Sequence, residues 1–296
     1  MIVPALDWSD VFSFQDYGAL LQLVGNSVIA GAVLGVVGGL IGVFIMQRDM
    51  AFAVHGVSEL SFAGAAAALL FGGSVVMGSL VGAVAAALLI GLLGSRARDR
   101  NSIVGVLMPF GLGLGILFLS LYEGRSANRF SLLTGQIVSV SSPDLGWLIA
   151  ISLIVLIGLL MVWNPLRFDS LDGQAAAARG VPTSAVSIVF MLLLGLIVAV
   201  AVHIIGALLV MALLVTPAAA AMRVSHGPVA VPLLAAAFGF ASAVGGILLA
   251  IAGTLPVSPY ITTISFLIYV VCRLIAWRRD RALALSAAQE PLRVAA

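Results

Sequence analysis

Nine stretches of this chain are long and apolar enough to cross a lipid bilayer, and little else could accommodate them. Spanning the ~30 Å hydrocarbon core takes about 20 apolar residues as a helix. The candidate spans are 19–46, 51–71, 75–94, 103–122, 145–163, 184–202, 205–222, 228–251 and 259–277. None alternates with the period of two that a membrane barrel needs, so the expected fold is all-α, a polytopic transmembrane helical bundle forming a single domain over 1–296. Residues 184–222 are one apolar run, interrupted by His203 and Gly206. They read as two short helices joined by a tight bend, which makes nine spans, with eight as the alternative.

Charge is scarce and unevenly placed. Charged residues make up 9% of the 296, against roughly a quarter in soluble domains. All 14 basic residues are arginine. Without a lysine the chain cannot spell the phosphate-binding loop G-x-x-x-x-G-K-[ST], so any ATP it uses is hydrolysed by another chain. The single cysteine, Cys272, sits in an apolar run and reads as packing rather than as a disulfide or zinc-finger ligand. No soluble basic face gathers the arginines, so no nucleic-acid partner is expected. The first 47 residues lack a basic residue, so no cleavable signal peptide is expected.

Arginine placement orients the bundle. With the loop after the first span in the cytoplasm, Arg125 and Arg129 alone fall outside; the other twelve fall inside. The N-terminus is then outside and the C-terminus cytoplasmic. Residues 1–18, with Trp8, Phe12, Phe14 and Tyr17 among three aspartates, read as an outer interfacial segment. Residues 123–144 form an outer connection with a short, partly buried middle, and 278–296 a solvated cytoplasmic tail. Residues 164–183 form the longest cytoplasmic connection between spans. Within it Asp172 caps the helix-forming run QAAAAR and Gly180-Val-Pro182 stops it. Glycines spaced by four, Gly31, Gly35 and Gly39 with Gly38 and Gly42, predict close backbone approach of the first span to its neighbours.

Sorted by depth, eleven of the twelve acidic residues lie at an interface or outside a span, and Glu59 alone lies within one. An ionisable group there costs about 2.5–3.5 kcal/mol on insertion scales, so it faces a partner or a wet cavity. His55 lies one turn earlier, and Ser58 lies on the same stripe. An imidazole and a carboxylate at i, i+4 can bond to each other or hold one divalent cation together. Zinc normally takes three or more protein ligands, so the pair suits a transient station completed by water or a second subunit. His203 is a further candidate polar position, and His226 falls in a cytoplasmic loop.

These residues resemble a known family, the membrane permeases of bacterial ABC importers for zinc, manganese and iron. In residues 42–70 the family reads roughly D-A-L-S-H-A-x-L-P-G after a basic pair. Here His55 falls on its Asp, Ser58 on its Ser, Glu59 on its His and Gly64 on its Gly, with Ala63 in place of the proline. Acid and imidazole have exchanged positions. QIVSVSSPDLGWL, 136–148, is similar to the family's short outer helix and the start of the next span. LDGQAAAARGVP, 171–182, resembles its coupling segment F-D-x-E-x-A-x-x-x-G, with Leu171 for Phe, Gln174 for Glu, and Asp172, Ala176 and Gly180 matching. HIIGALLVMALLVTPAAAA, from His203, parallels R-V-V-G-x-L-L-V-x-A-L-L-V-x-P-A-A-x-A.

The resemblance implies a homodimer with the pathway between the copies, in the bacterial plasma membrane. It also implies an ATP-binding-cassette ATPase on each coupling segment and an extracytoplasmic metal-binding protein delivering the ion. The chain would be a transport subunit, not an enzyme, with no permanently bound cofactor. Zinc is the first expectation for the cargo, on the availability of imidazole, with manganese or iron open. An ATP-independent secondary transporter or channel is the competing class, but no internal repeat supports it. An intramembrane protease would want H-E-x-x-H or a G-x-S-x-G elbow, and neither is present.

Overall fold

A computed structural model of the chain describes residues 17–94, 97–124, 137, 140–253 and 256–294. The described residues are overwhelmingly helical: α1 (Tyr17–Leu23), α2 (Gly25–Gln47), α3 (Ala51–Leu70), α4 (Val75–Leu93), α5 (Ala97–Leu121), α6 (Ser142–Leu171), α7 (Gly173–Ala178), α8 (Thr183–Ile205), α9 (Ala207–Leu214), α10 (Thr216–Val224), α11 (Ala230–Ile251) and α12 (Val257–Val294). Lipid leaves backbone groups no partner but each other, so long apolar segments close their own hydrogen bonds as helices. Residues 1–16 of the interfacial segment expected over 1–18, and most of the outer connection expected over 123–144, lie outside the described residues.

Eight of these helices are long and apolar enough to span a membrane. The ninth apolar stretch, expected as one span over 205–222, is instead two short helices, α9 and α10. Gly206 ends α8 at φ +83, a conformation that side chains disfavour, and α10 starts with Pro217 in its first turn, where a missing N–H costs nothing. The pair still returns the chain to the end of the bundle it left, because the Val224 carbonyl at the close of α10 accepts from Arg279. A second difference concerns residues 164–171, expected as the start of a connection. They continue α6 through Pro165 to Leu171, with Leu166 fully buried. At 30 residues α6 is ~45 Å long, so one end overhangs any bilayer.

Glycine sets the helix contacts. Gly35 and Gly39 lie against the backbone of α11: a Cβ on Gly35 would come 2.5 Å from the Gly239 carbonyl oxygen. Gly38 and Gly42, about 60° round the same helix, face Leu214 and Ala218, so the adjoining side of α2 receives the broken pair. Gly64 and Gly78 meet across α3 and α4, where Ser61 Oγ also donates to the Ser79 carbonyl at 3.2 Å. Gly111 and Gly115 press α5 onto Leu60 and Phe62. Small residues allow this approach, and dispersion across it holds helices together where no hydrophobic drive exists. Helices α2, α3 and α8 form the buried centre, where Phe44 meets Trp163 edge-on at 4.9 Å and Phe190 at 6.2 Å.

Polar contacts mark two ends. At one, Arg48, Arg100, Asp169 and Ser187 meet below the short helix α7, and His226 meets Arg279. At the other, Tyr17 Oη donates to the Leu248 carbonyl and Asn26 Nδ2 to that of Val140.

Candidate functional site

Helix α3 carries the acid and the imidazole. One turn of helix separates His55 from Glu59, and their side chains converge with His55 Nε2 3.5 Å from Glu59 Oε1. The Glu59 side chain is 7% exposed and that of His55 28%, so the pair runs from a reachable imidazole to an enclosed carboxylate. Glycines allow this enclosure, since a Cβ on Gly111 of α5 would stand 3.0 Å from the Glu59 carbonyl carbon.

Glu59 Oε2 is buried without a hydrogen-bond partner among the described residues. A buried carboxylate oxygen normally has one, and leaving it bare costs a few kcal/mol. The arrangement therefore offers one unspent acceptor beside an imidazole. Two donors each about 2.1 Å from one tetrahedral ion stand about 3.4 Å apart, close to the separation seen here. Among the described residues no three of His, Cys, Asp and Glu cluster as a metal cage would require. The pair offers two donor atoms and no third from the described residues.

Ser58 is not aimed at this pair. It is fully buried, and its Oγ donates to the Ala207 carbonyl at 3.3 Å, tying α3 to the start of α9 just after the Gly206 break. His203 is also elsewhere. Its Nε2 lies 3.2 Å from Asp144 Oδ1, joining the last turn of α8 to the first turn of α6, with Nδ1 buried and without a partner among the described residues. His226 contacts Arg279 at 3.4 Å.

The second predicted element is well formed. Asp172 accepts from the backbone N–H groups of Gln174 at 3.0 Å and Ala175 at 2.9 Å, capping α7. Gly180 at φ +82 reverses the chain, and the Val181 N–H closes on the Ala176 carbonyl at 3.0 Å, a glycine-terminated helix end. Ala176 is fully buried and seats the helix, whereas Leu171, Asp172, Gln174 and Gly180 are exposed. Arg179 folds back over the Phe168 ring at 5.6 Å.

Sequence reasoning missed the clasp beneath this helix. Arg48 pairs with Asp169 at 2.5 Å and donates to Ser187 at 2.8 Å, while Arg100 donates to the Arg48 carbonyl at 2.9 Å. The only signal was that Arg48, Arg100 and Asp169 were all assigned to the same membrane face.

Comparisons with known proteins bear on the family and the fold. The profile of the ABC 3 transport family matches residues 21–276. A manganese transport system membrane protein, MntC, of Halalkalibacterium halodurans is 30% identical over 240 residues, 81% of this chain and 82% of that protein. The manganese import system permease protein ScaB of Streptococcus gordonii is 27% identical over 85% of this chain and 90% of that one. Among solved structures, PsaBC from Streptococcus pneumoniae in complex with Fab shares the fold with a TM-score of 0.78 at 24% identity, covering 88% of this chain and 95% of that chain.

Proposed function

Because the chain belongs to the ABC 3 transport family, we propose that it is the membrane permease subunit of an ATP-driven importer of a divalent metal, manganese first. The observation that carries this is the Glu59 carboxylate, buried within a span beside His55 with one oxygen unpartnered. A dehydrated cation needs compensating charge at mid-bilayer, and a carboxylate supplies it while a neutral imidazole adds a donor. The names of the relatives favour manganese. One oxygen and one nitrogen donor, completed by water, suit that ion as well as they suit zinc.

His55 takes the incoming ion from the more open side and passes it to Glu59. The open coordination positions support a second copy facing the pair across a shared pathway. The exposed side of α7, with Leu171, Asp172, Gln174 and Gly180 around the seated Ala176, is the surface for the cytoplasmic ATPase. That puts the arginine-bearing end in the cytoplasm and the Tyr17 end outside, where a metal-binding protein delivers the ion. The chain alters no covalent bond itself.

Proteoliposomes holding the permease with its ATPase and binding protein test the reading. Manganese accumulation that requires ATP is the expected result. Accumulation of zinc but not manganese would reassign the cargo, and uptake without ATP would place the chain in the secondary-transporter class.

A further inference from the structure

Helices α6 and α11 both pack on α2 but make no substantial contact with each other, so α2 floors an open seam between them. Two hollows lie along it. One, of about 370 Å³, is bounded by Val33 and Val36 of α2, Leu153 and Leu156 of α6, and Phe240 of α11, and is apolar except for Ser152. The other, of about 310 Å³, lies at the arginine-bearing end, with Phe44, Trp163 and Pro232 as apolar walls and Gln47, Arg167 and His226 as polar groups.

The same three helix faces line both. On α2 positions 33, 36 and 37 give way to 43, 44 and 47, the spacing of one helical stripe; on α6 positions 153 and 156 give way to 163 and 167. From Val33 to Gln47 the seam rises ~21 Å, enough to cross one leaflet of a ~30 Å hydrocarbon core.

Its charge is one-sided. Among the described residues, no Asp or Glu lines either hollow, Arg167 has no hydrogen bond or ion pair, and Gln47 Oε1 is buried without a partner. Nearby Asp169 is committed to Arg48. A guanidinium favours phosphate, and a tryptophan beside it is the usual marker of the membrane interface.

We propose that this seam holds an anionic phospholipid of the leaflet at the arginine-bearing end. Its phosphate meets Arg167 with the Gln47 amide and His226 alongside, and an acyl chain lies along α2 into the apolar hollow. A free phosphate would leave that hollow unused. The helix of a second copy would bury Arg167 without neutralising it.

Trp163 provides the probe. A variant in which it is the sole tryptophan (Trp8→Phe, Trp147→Phe, Trp277→Phe) is reconstituted into phosphatidylcholine vesicles doped with brominated phosphatidylglycerol or brominated phosphatidylcholine. Quenching by the anionic lipid should reach its midpoint at about fivefold lower mole fraction, the preference one interfacial arginine confers. Adding Arg167→Gln should remove the preference in protein that still elutes as a single folded species. Val36→Phe, which fills the apolar hollow and leaves the polar groups intact, should weaken quenching by both lipids. Equal quenching by the two lipids would overturn the proposal. So would relief of quenching by inorganic phosphate, which marks a free-anion site, or absence of quenching with Val36→Cys forming a disulfide between copies, which marks a protein interface.

Discussion

Arg48 and Asp169, 121 residues apart in sequence, form a largely buried ion pair of 2.5 Å with side chains 11% and 8% exposed. The same guanidinium reaches Ser187 through its other terminal nitrogen, so one side chain joins the ends of α2 and α6 to the start of α8. Asp169 lies three residues before Asp172, the cap of α7. The clasp therefore holds the platform from which α7 projects.

Removing one partner of such a pair leaves the other charge uncompensated, at a cost of about 3–5 kcal/mol. Asp169→Asn should therefore lower the thermal unfolding midpoint of the detergent-solubilised protein by several degrees. Arg48→Lys should not restore wild-type behaviour, because an ammonium lacks the fork that reaches Asp169 and Ser187 together. An unchanged midpoint in Asp169→Asn would show the pair to be ornamental.

Two glycines predict opposite outcomes for one chemical change. Gly35→Ala inserts a methyl 2.5 Å from the Gly239 carbonyl oxygen, so α2 and α11 must separate. Gly113→Ala meets nothing within 4 Å and gains helix propensity, up to about 1 kcal/mol. Folded yield and thermal midpoint should fall in the first variant and hold or rise in the second. Equal tolerance of both would mean that the helices approach less closely than described.

The proposed ATPase-docking helix α7 depends on its two ends. Asp172→Ala removes two capping bonds, worth about 1 kcal/mol, and Gly180→Val forces a β-branched residue to φ +82. Both should reduce metal-stimulated ATPase activity of the assembled complex while the transmembrane helices keep their thermal midpoint. Full stimulation in Gly180→Val would move the docking surface off α7.

His203 should behave as a structural residue. His203→Gln weakens its bond to Asp144 and should loosen the junction of α6 with α8, detectable as faster amide exchange around residues 142–146. Metal selectivity should stay as in the wild type. Altered selectivity would bring His203 into the transport path.

Much of this was legible from residue chemistry. Long apolar runs declare helices because lipid allows few alternatives, and Glu59 stood out because an acid at that depth needs a reason. The His55 spacing follows from helical periodicity alone. Asp172 and Gly180 announced their helix because caps and positive-φ glycines are local signals. What stayed hidden depends on distant partners. Ser58 shares a stripe with the pair, yet its hydroxyl is taken by a carbonyl 149 residues away. Residues 164–171 read as the start of a connection, yet α6 runs on through Pro165 with Leu166 buried. The clasp of Arg48 with Asp169 exists only once α2 and α6 lie side by side.

The role proposed for the His55–Glu59 pair is to handle the transported ion. Glu59→Gln keeps size and helix while removing the charge, so ATP-dependent manganese uptake into proteoliposomes measures that charge directly. Uptake should fall at least tenfold, with the variant still folded and still associated with its ATPase. Uptake at the wild-type rate in that folded, assembled variant would contradict it and leave the pair a helix-packing contact.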